Sequence, residues 1–458
     1  MKRAVLILPL AIVAACTVGP NYKRPPLAAP DAYRGAPGAA STASIADAAW
    51  PQVFPDPMLQ TLVRAALQQN GDVQLAAARI LEAQARLGVT RADQFPTVTA
   101  GVDVLGERPS VALGLPSTNL AAITAQGSIA WELDFWGKYR RATEAARAQL
   151  LASAWGQRAV VDTLISQLAD AYFGLRALDL ELDLSQKTLA SRQESLRLTQ
   201  VREQGGATSL LDVRQAEQLV YGATGEIATL QREIAQQENF ISFLIGNNPA
   251  PVARGLALTD EPHAPELPAG LPSALLERRP DIQQAEQQLA AANAEIGVAR
   301  AAYFPSITLT GSGGFESTAL TALFTATNSV WNATIGAAAP VFNAGRTRSQ
   351  VAVATAERQE AIVTYRNTVR QAFREVSDAL VGYQKLREFR EQQALLQASA
   401  QDARRLADIR YQGGATSYLE VLDADTRLFD AQLALVEAQL SELTGYVEVY
   451  RALGGGWQ

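Results

Sequence analysis

The apolar positions of this chain switch from a helical period to a period of two and back again, and they do so twice. Residues 58–93 and about 273–302 read as helices. Arg278-Arg-Pro-Asp-Ile282 is expected to break the second of these near its start, because proline removes a backbone donor. Phe95-Pro96 and Phe304-Pro305 stop the helices, since the residue before proline is pushed out of the helical region. Beyond each stop the period is two. Thr97, Thr99, Gly101 and Asp103 alternate with Val98, Ala100, Val102 and Val104. Further on, Ser128, Ala130, Glu132 and Asp134 alternate with Ile129, Trp131, Leu133 and Phe135. In the second half, Ser306, Thr308 and Thr310 alternate with Ile307 and Leu309, and a less regular strand is predicted from about Trp331 to Phe342.

Helical spacing then returns for two proline-free runs, residues 138–244 and 346–453. The first holds one continuous helix of roughly 64 residues, about 95 Å long at 1.5 Å per residue. Its seam is a heptad: Val161, Leu168, Leu175, Leu182, Leu189 and Leu196. The second run keeps that phase at Ile362, Val369, Val376 and Tyr383, after which the seam becomes polar. Heptads of this kind pack helices side by side. Both helices end on the same six residues, Gln204-Gly-Gly-Ala-Thr-Ser209 and Gln412-Gly-Gly-Ala-Thr-Ser417. Gly205-Gly206 and Gly413-Gly414 can take the left-handed backbone that closes a helix, and the Thr-Ser pairs are good caps for the next one. Each hexamer therefore predicts a tight helical hairpin.

The two halves are copies of one unit. Asn70-Gly-Asp-Val-Gln74 lines up with Arg279-Pro-Asp-Ile-Gln283, Leu87-Gly-Val-Thr-Arg91 with Ile296-Gly-Val-Ala-Arg300, and Phe95-Pro-Thr-Val-Thr99 with Phe304-Pro-Ser-Ile-Thr308. Phe135-Trp-Gly-Lys138 lines up with Phe342-Asn-Ala-Gly-Arg346, one residue longer. The offset stays near 208, which gives a tandem duplication over roughly 58–248 and 272–458. Residues 249–271 form a proline-rich linker that carries the only histidine, His263, read as solvated.

The N-terminus is an address. Met1-Lys2-Arg3 precedes an apolar stretch ending in small residues, so residues 1–15 read as an export signal. Val13-Ala14-Ala15-Cys16 resembles a lipobox, which would make Cys16 a lipid-bearing first residue of the mature chain; a buried or free thiol is the alternative. Thr17, rather than Asp, favours the outer membrane. Residues 16–57 are rich in Pro, Ala, Gly and Ser and read as an extended arm with little core of its own.

Composition removes whole classes of function. The net charge of -6 offers no basic field for nucleic acid. One Cys, one His and two Met leave little means for zinc, thiol or His-dependent chemistry. Serine-rich stretches lack a His partner and no phosphate-cradling loop is present, so no enzyme and no cofactor is expected. No helix after the signal is apolar for long enough to span a bilayer, so any crossing would be made by strands. The strands fit a membrane barrel, with aromatics near their ends, and fit a soluble sheet equally by pattern; the export signal and lipobox tip the reading to the membrane. Four strands cannot close a membrane barrel, for which about 8 is the smallest number, and open edges in lipid leave backbone groups unpaired. Spanning strands would have to be shared among several chains.

The chain resembles the TolC-like outer-membrane efflux proteins, and within them the lipoprotein outlets of resistance-nodulation-division (RND) pumps. Cys16-Thr-Val-Gly-Pro-Asn-Tyr22, Arg279-Pro-Asp-Ile282, Ile296-Gly-Val-Ala-Arg-Ala-Ala-Tyr-Phe-Pro305, Pro340-Val-Phe-Asn-Ala-Gly345 and Tyr411-Gln-Gly-Gly-Ala-Thr-Ser417 carry the resemblance, which covers almost all of the mature chain. It implies a mainly α fold with a membrane β-barrel portion. Three chains would each give four strands to one 12-stranded barrel and their long helices to one coiled-coil tunnel through the periplasm. The partners it implies are two more copies of the chain, a periplasmic adaptor docked on the hairpins at Gly205, Gly206, Gly413 and Gly414, an inner-membrane RND pump, and outer-membrane lipid at Cys16. Leu419, Glu420 and Asp423 match the family's constricting positions, and Tyr411 and Asp212 match a Tyr–Asp link that holds relatives shut. The chain departs from the family's lock at Thr416, where an Arg stands in the TolC pattern. Without the resemblance, Glu420 and Asp423 read as a solvated helix start that suits the helix dipole. The expected function is passive conduction of drugs or other small solutes. Protein secretion and metal efflux remain alternatives within transport. A non-conducting coiled-coil lipoprotein is the rival of a different class, and it leaves the duplicated strands unexplained.

Overall fold

The computed structural model describes residues 17–27, 29–35, 43–107, 120–262 and 267–457; Cys16, the signal segment before it and His263 lie outside the described residues. The elements follow in the order α1 (Trp50–Val53), α2 (Pro57–Gln69), α3 (Gly71–Ala92), β1 (Thr97–Glu107), β2 (Leu120–Leu133), α4 (Lys138–Gln204), α5 (Leu210–Ile245), α6 (Pro272–Arg278), α7 (Pro280–Ala301), β3 (Ser306–Ser317), β4 (Ser329–Ala338), α8 (Arg346–Gln412) and α9 (Tyr418–Ala452). Among the described residues no helix is long and apolar enough to cross a membrane.

The chain divides into two compact units. The first comprises residues 1–26, 79–154 and 284–366. It holds an antiparallel sheet in the order β1-β2-β3-β4. The register sorts the side chains by polarity. Val98 lies opposite Ile129, Ile129 opposite Gly311, Leu309 opposite Trp131 and Ile335 opposite Leu309. One face thus collects most of the large apolar side chains of the four strands, and the other collects Thr99, Ser128, Thr308, Ser312 and Asn332, with Leu105 and Val330 among them. The apolar face is uncovered within the chain: Trp331 is 82% and Ile335 76% exposed. At the root of the sheet Trp136 stacks on Phe304 at 4.7 Å and its Nε1 donates to Pro305 O at 2.8 Å. The start of the arm is stitched to the same root. Val18 N donates to Trp136 O at 3.0 Å, and Arg141 reaches Asn21 Oδ1 at 2.7 Å.

Backbone geometry corrects one alignment. Gly137 and Gly345 both have positive φ (78° and 85°), and each immediately precedes the long helix of its half. The halves therefore match glycine to glycine, Lys138 to Arg346, with Phe135 against Asn343 rather than Phe342. The predicted strand to Phe342 also ends earlier, at Ala338, because Pro340 has no N–H to extend the ladder.

The second unit comprises residues 27–78, 155–283 and 367–458. Its core gathers Leu59 and Val63 of α2, Leu168, Tyr172 and Leu175 of α4, Ile241 and Leu244 of α5, and Val447 and Tyr450 of α9. The heptad seam is buried at Leu168, Leu175, Val369, Val376 and Tyr383, and half-buried at Leu182, Leu189 and Leu196. Two expectations fail here. The arm is not coreless at its end: Trp50, Val53 and Phe54 are buried in this core, with Phe54 edge-on to Tyr450 at 5.7 Å. The first predicted helix is also not continuous. It breaks at Asn70, which leaves helical geometry (φ -62°, ψ 133°) without a proline. The Asn70 side chain does what Pro280 does in the other half. Its Oδ1 accepts from Asp72 N at 2.8 Å and Val73 N at 3.1 Å to cap α3, while Nδ2 donates to Leu244 O at 2.8 Å.

Candidate functional site at the helical hairpins

Both hexamers fold into the same loop. Gly206 N donates to Glu203 O and Ala207 N to Arg202 O, at 2.9 and 2.8 Å. Gly414 N donates to Tyr411 O and Ala415 N to Arg410 O, at 3.0 and 2.9 Å. These are paired Schellman closures, which need a left-handed residue at one position only. That residue is the second glycine of each pair, Gly206 (φ 69°) and Gly414 (φ 72°), while Gly205 and Gly413 stay outside the left-handed region. A Cβ at Gly414 would meet nothing within 4 Å. Gly414→Ala should therefore cost backbone strain alone, about 1 kcal/mol, and Gly413→Ala close to nothing. Amide exchange across residues 408–418 checks this, with faster exchange expected only for the Gly414 variant.

The helices after the loops start differently. Ser209 and Asp212 form a reciprocal capping box, with Asp212 N to Ser209 Oγ at 3.3 Å and Ser209 N to Asp212 Oδ2 at 3.0 Å. Thr208 also donates to Asp212. The Thr208 hydroxyl first, and the Ser209 backbone N–H after it, hold the Asp212 carboxyl below the usual carboxylate range. In the second copy Thr416 donates to Glu420, which also pairs with Arg410 at 3.0 Å. Thr416 thus repeats the role of Thr208.

Leu419 is exposed, and Asp423 pairs with Arg427 one turn along the exposed face at 2.8 Å. Tyr411 turns its ring to Tyr418 at 5.3 Å and lies under the Arg202 guanidinium at 4.8 Å. Within this chain the hydrogen bonds of Asp212 go to Thr208 and Ser209, and Tyr411 is brought to Tyr418 instead.

The sequence reading missed the charged centre behind these residues. Asp425 accepts from Arg192 Nε of α4 at 3.0 Å and from Arg404 Nε of α8 at 3.3 Å. Arg192 further donates to Leu219 O of α5 at 3.4 Å and sits over the Phe429 ring at 5.1 Å. One carboxylate on α9 therefore ties all four long helices together. Beside it lies a small apolar cluster of Ala216, Ala407, Tyr418, Val421 and Leu422. Arg192 and Asp425 are 233 positions apart, so no local spacing announces the pair. The one signal was a charged residue three places after Leu189 on a helix that stays apolar along its seam.

A family model described as outer membrane efflux protein matches residues 62–247 and 271–455. The chain is 38% identical over 456 residues to the toluene efflux pump outer membrane protein TtgC of Pseudomonas putida, covering 97% of this chain and 94% of that one. It is 34% identical over 457 residues to the cation efflux system protein CusC of Escherichia coli (strain K12), covering 98% and 99%. The solved outer-membrane channel OprN superposes with a TM-score of 0.89 at 30% identity, over 96% of this chain and 100% of that one.

Proposed function

This chain belongs to the outer membrane efflux protein family, and from that premise we propose that it is the exit duct of a tripartite efflux system. Three copies each give four strands to one 12-stranded barrel and their long helices to one periplasmic tunnel. Cys16 carries the lipid that tethers each copy to the outer membrane, roughly 0.8 kcal/mol per buried methylene. The two repeats, 58–248 and 272–458, supply equivalent hairpins. A periplasmic adaptor docks at Gly205, Gly206, Gly413 and Gly414, and an inner-membrane RND pump supplies the energy. No cofactor and no nucleic acid takes part.

The observation that carries this reading is the sheet. Most of its large apolar side chains share one uncovered face, and its outer strands β1 and β4 each have a single partner among the described residues. Water would tolerate neither the apolar face nor, in lipid, would the open edges be tolerated. A barrel closed by further copies satisfies both. A non-conducting stalk leaves both exposed.

Conduction is passive and is gated at the hairpins. Under three-fold symmetry Leu419 becomes an apolar ring and Asp423 an acidic one. Glu420 contributes less open charge than its sequence promises, because Arg410 pairs with it. Asp423 keeps more, since its pair with Arg427 is exposed and worth under about 1 kcal/mol. Opening is a two-state movement of the tip helices biased by adaptor contacts. Within the chain Asp212 bonds to Thr208 and Ser209 and Tyr411 packs on Tyr418, so a link between Tyr411 and Asp212 would cross between copies. Toluene and cations name the cargo of two relatives, and a duct that serves such different solutes selects by width and charge rather than by a binding pocket.

Single-channel currents in a planar bilayer test this. The wild type should be nearly silent and a Leu419→Ala, Asp423→Ala double variant should conduct steadily, with conductance several-fold above the wild type. If both are equally open, the gate assignment falls and the duct stands. If neither conducts although both are inserted as trimers, the duct reading falls and the rigid stalk replaces it.

A further inference from the structure

The duplicated sheet specifies how one copy meets the next. The first hairpin places Val98 opposite Ile129 and the second places Ile307 opposite Ala337. Val98 of β1 therefore corresponds to Ile307 of β3, and Ile129 of β2 to Ala337 of β4. The shift from Ile129 to Ala337, continued down the chain, carries Gly137 onto Gly345 and the first residue of α4 onto the first residue of α8. The correspondence thus holds beyond the sheet itself.

The junction between the two hairpins is already present once inside the chain, where β2 meets β3. There Ile129 lies opposite Gly311 and Gly127 opposite Gly313. The equivalent junction, β4 against β1, has no place within the chain, because β1 and β4 are the outer strands of the sheet. We infer that β4 of one copy pairs antiparallel with β1 of the next in the register copied from β2 and β3, with Ala337 opposite Val102 and Ile335 opposite Val104 of the next copy. This inference rests on the shared barrel proposed above and fixes its closing seam.

Side-chain chemistry checks the register independently of the correspondence. On the apolar face β4 carries Trp331, Ala333, Ile335 and Ala337, and β1 carries Val98, Ala100, Val102 and Val104; Val330 and Leu105 lie on the opposite face. The copied register sets these two rows on one face, continuous with the apolar face of the chain's own sheet. A slip of one residue would turn every side chain of β4 over, placing Ile335 level with Asp103 and Trp331 on the polar side. The seam runs from Asn332 opposite Glu107 to Ala338 opposite Gly101. It stops there for a stated reason: the next donor in the series falls to Pro340, which stands where Glu132 stands in β2 and has no N–H. Slips of two residues keep the faces matched and are excluded only by the correspondence, so they are the discriminating controls.

Paired cysteines on the polar face decide the matter, since Cys16 is the only native cysteine. The full-length lipoprotein would carry Gly336→Cys with Asp103→Cys, and separately Gly336→Cys with Gly101→Cys or with Leu105→Cys. A second cognate pair, Thr334→Cys with Leu105→Cys, guards against a folding defect in the first. Under mild oxidant the two cognate pairs should link neighbouring copies into covalent trimers at least ten-fold faster than the slipped pairs, and single variants should not link. Faster linking by a slipped pair, equal linking by all, or no linking in a particle that sedimentation shows to be a trimer would overturn the register and leave the shared barrel intact. A particle containing one copy in detergent would overturn both.

Discussion

Replacing Asp425 with Asn is expected to loosen both hairpins at once, and to raise channel opening while Leu419 and Asp423 are still in place. Two guanidinium groups converge on that carboxylate, and all three side chains are shielded: Arg192 is 8%, Asp425 15% and Arg404 19% exposed. Removing one partner of a buried ion pair leaves its counter-charge uncompensated, which costs about 3–5 kcal/mol where burial is complete. Residual solvent access brings the expected figure here to roughly 2–3 kcal/mol. That is large against what else holds this region. The apolar cluster beside it has five buried members, two of them alanines, whereas the main core runs from Trp50 to Tyr450 with many large side chains. A segment with few buried apolar contacts opens at a fraction of the global free energy, so the ion pairs decide whether it opens. Asp425→Glu, which keeps the charge, should lose much less. Asp423→Asn, two residues away on the exposed face, should cost under about 1 kcal/mol because it breaks only the pair with Arg427. Amide exchange over α4, α5, α8 and α9 near the loops reads the result. Protection must fall on all four helices in Asp425→Asn; a loss confined to α9 would show that the carboxylate braces its own helix and nothing more.

How much of this was legible before the fold is best seen residue by residue. The strands could be read because a period of two is unmistakable in Val98 to Val104, and because the same pattern recurs after Phe304-Pro305. The loops could be read because the hexamers are identical and each of their residue types has a backbone reason to be there. Leu419, Glu420 and Asp423 are singled out by a motif alone, and they lie at the start of α9, directly after the loop. What could not be read was long-range. Asn70 breaks a helix by capping, and nothing distinguishes such an Asn from a solvated one until Leu244 is seen to accept from it. Arg192 and Asp425 find each other only after two hairpins have formed and packed. The alignment of Phe135 with Phe342 went wrong because aromatic identity outweighs a glycine to the eye, whereas the backbone is governed by the glycine. The end of the arm reads as coreless because composition averages over many residues, while Trp50, Val53 and Phe54 enter the core individually.

Asp56→Ala should be the most damaging single substitution in the second unit, at about 3–5 kcal/mol. Asp56 is fully buried at the start of α2. Its carboxylate accepts from Met58 N at 2.6 Å and Leu59 N at 3.2 Å, which caps the helix, and from Tyr172 Oη at 2.8 Å and Leu256 N at 2.7 Å, which fastens the linker to α4. An N-cap is worth about 1 kcal/mol and a buried hydrogen bond to a charged group about 1.5–3 kcal/mol, and alanine removes all of them while leaving three N–H donors and a hydroxyl in search of partners. Asp56→Asn retains the cap and should cost less. Glu261 makes the same site sensitive to pH. Burial first, and then the neighbouring Asp56 charge, push the Glu261 carboxyl up to about 8. Burial likewise raises Asp170 to about 7, with Glu448 adding to it. Each of these groups binds its proton more tightly folded than unfolded. Their contribution is therefore fully present below the ordinary carboxylate range near pH 4.5 and is lost as pH rises through 7 to 8. Urea unfolding followed by helical circular dichroism should show the protein less stable at pH 8.5 than at pH 6. Glu261→Gln keeps a hydrogen-bonding group without the titration, and it should flatten that decline. A decline of unchanged size in Glu261→Gln would place the pH dependence on Asp170 and the other buried carboxyls of α4, and would leave Asp56 fastening the linker with no second carboxyl to oppose it.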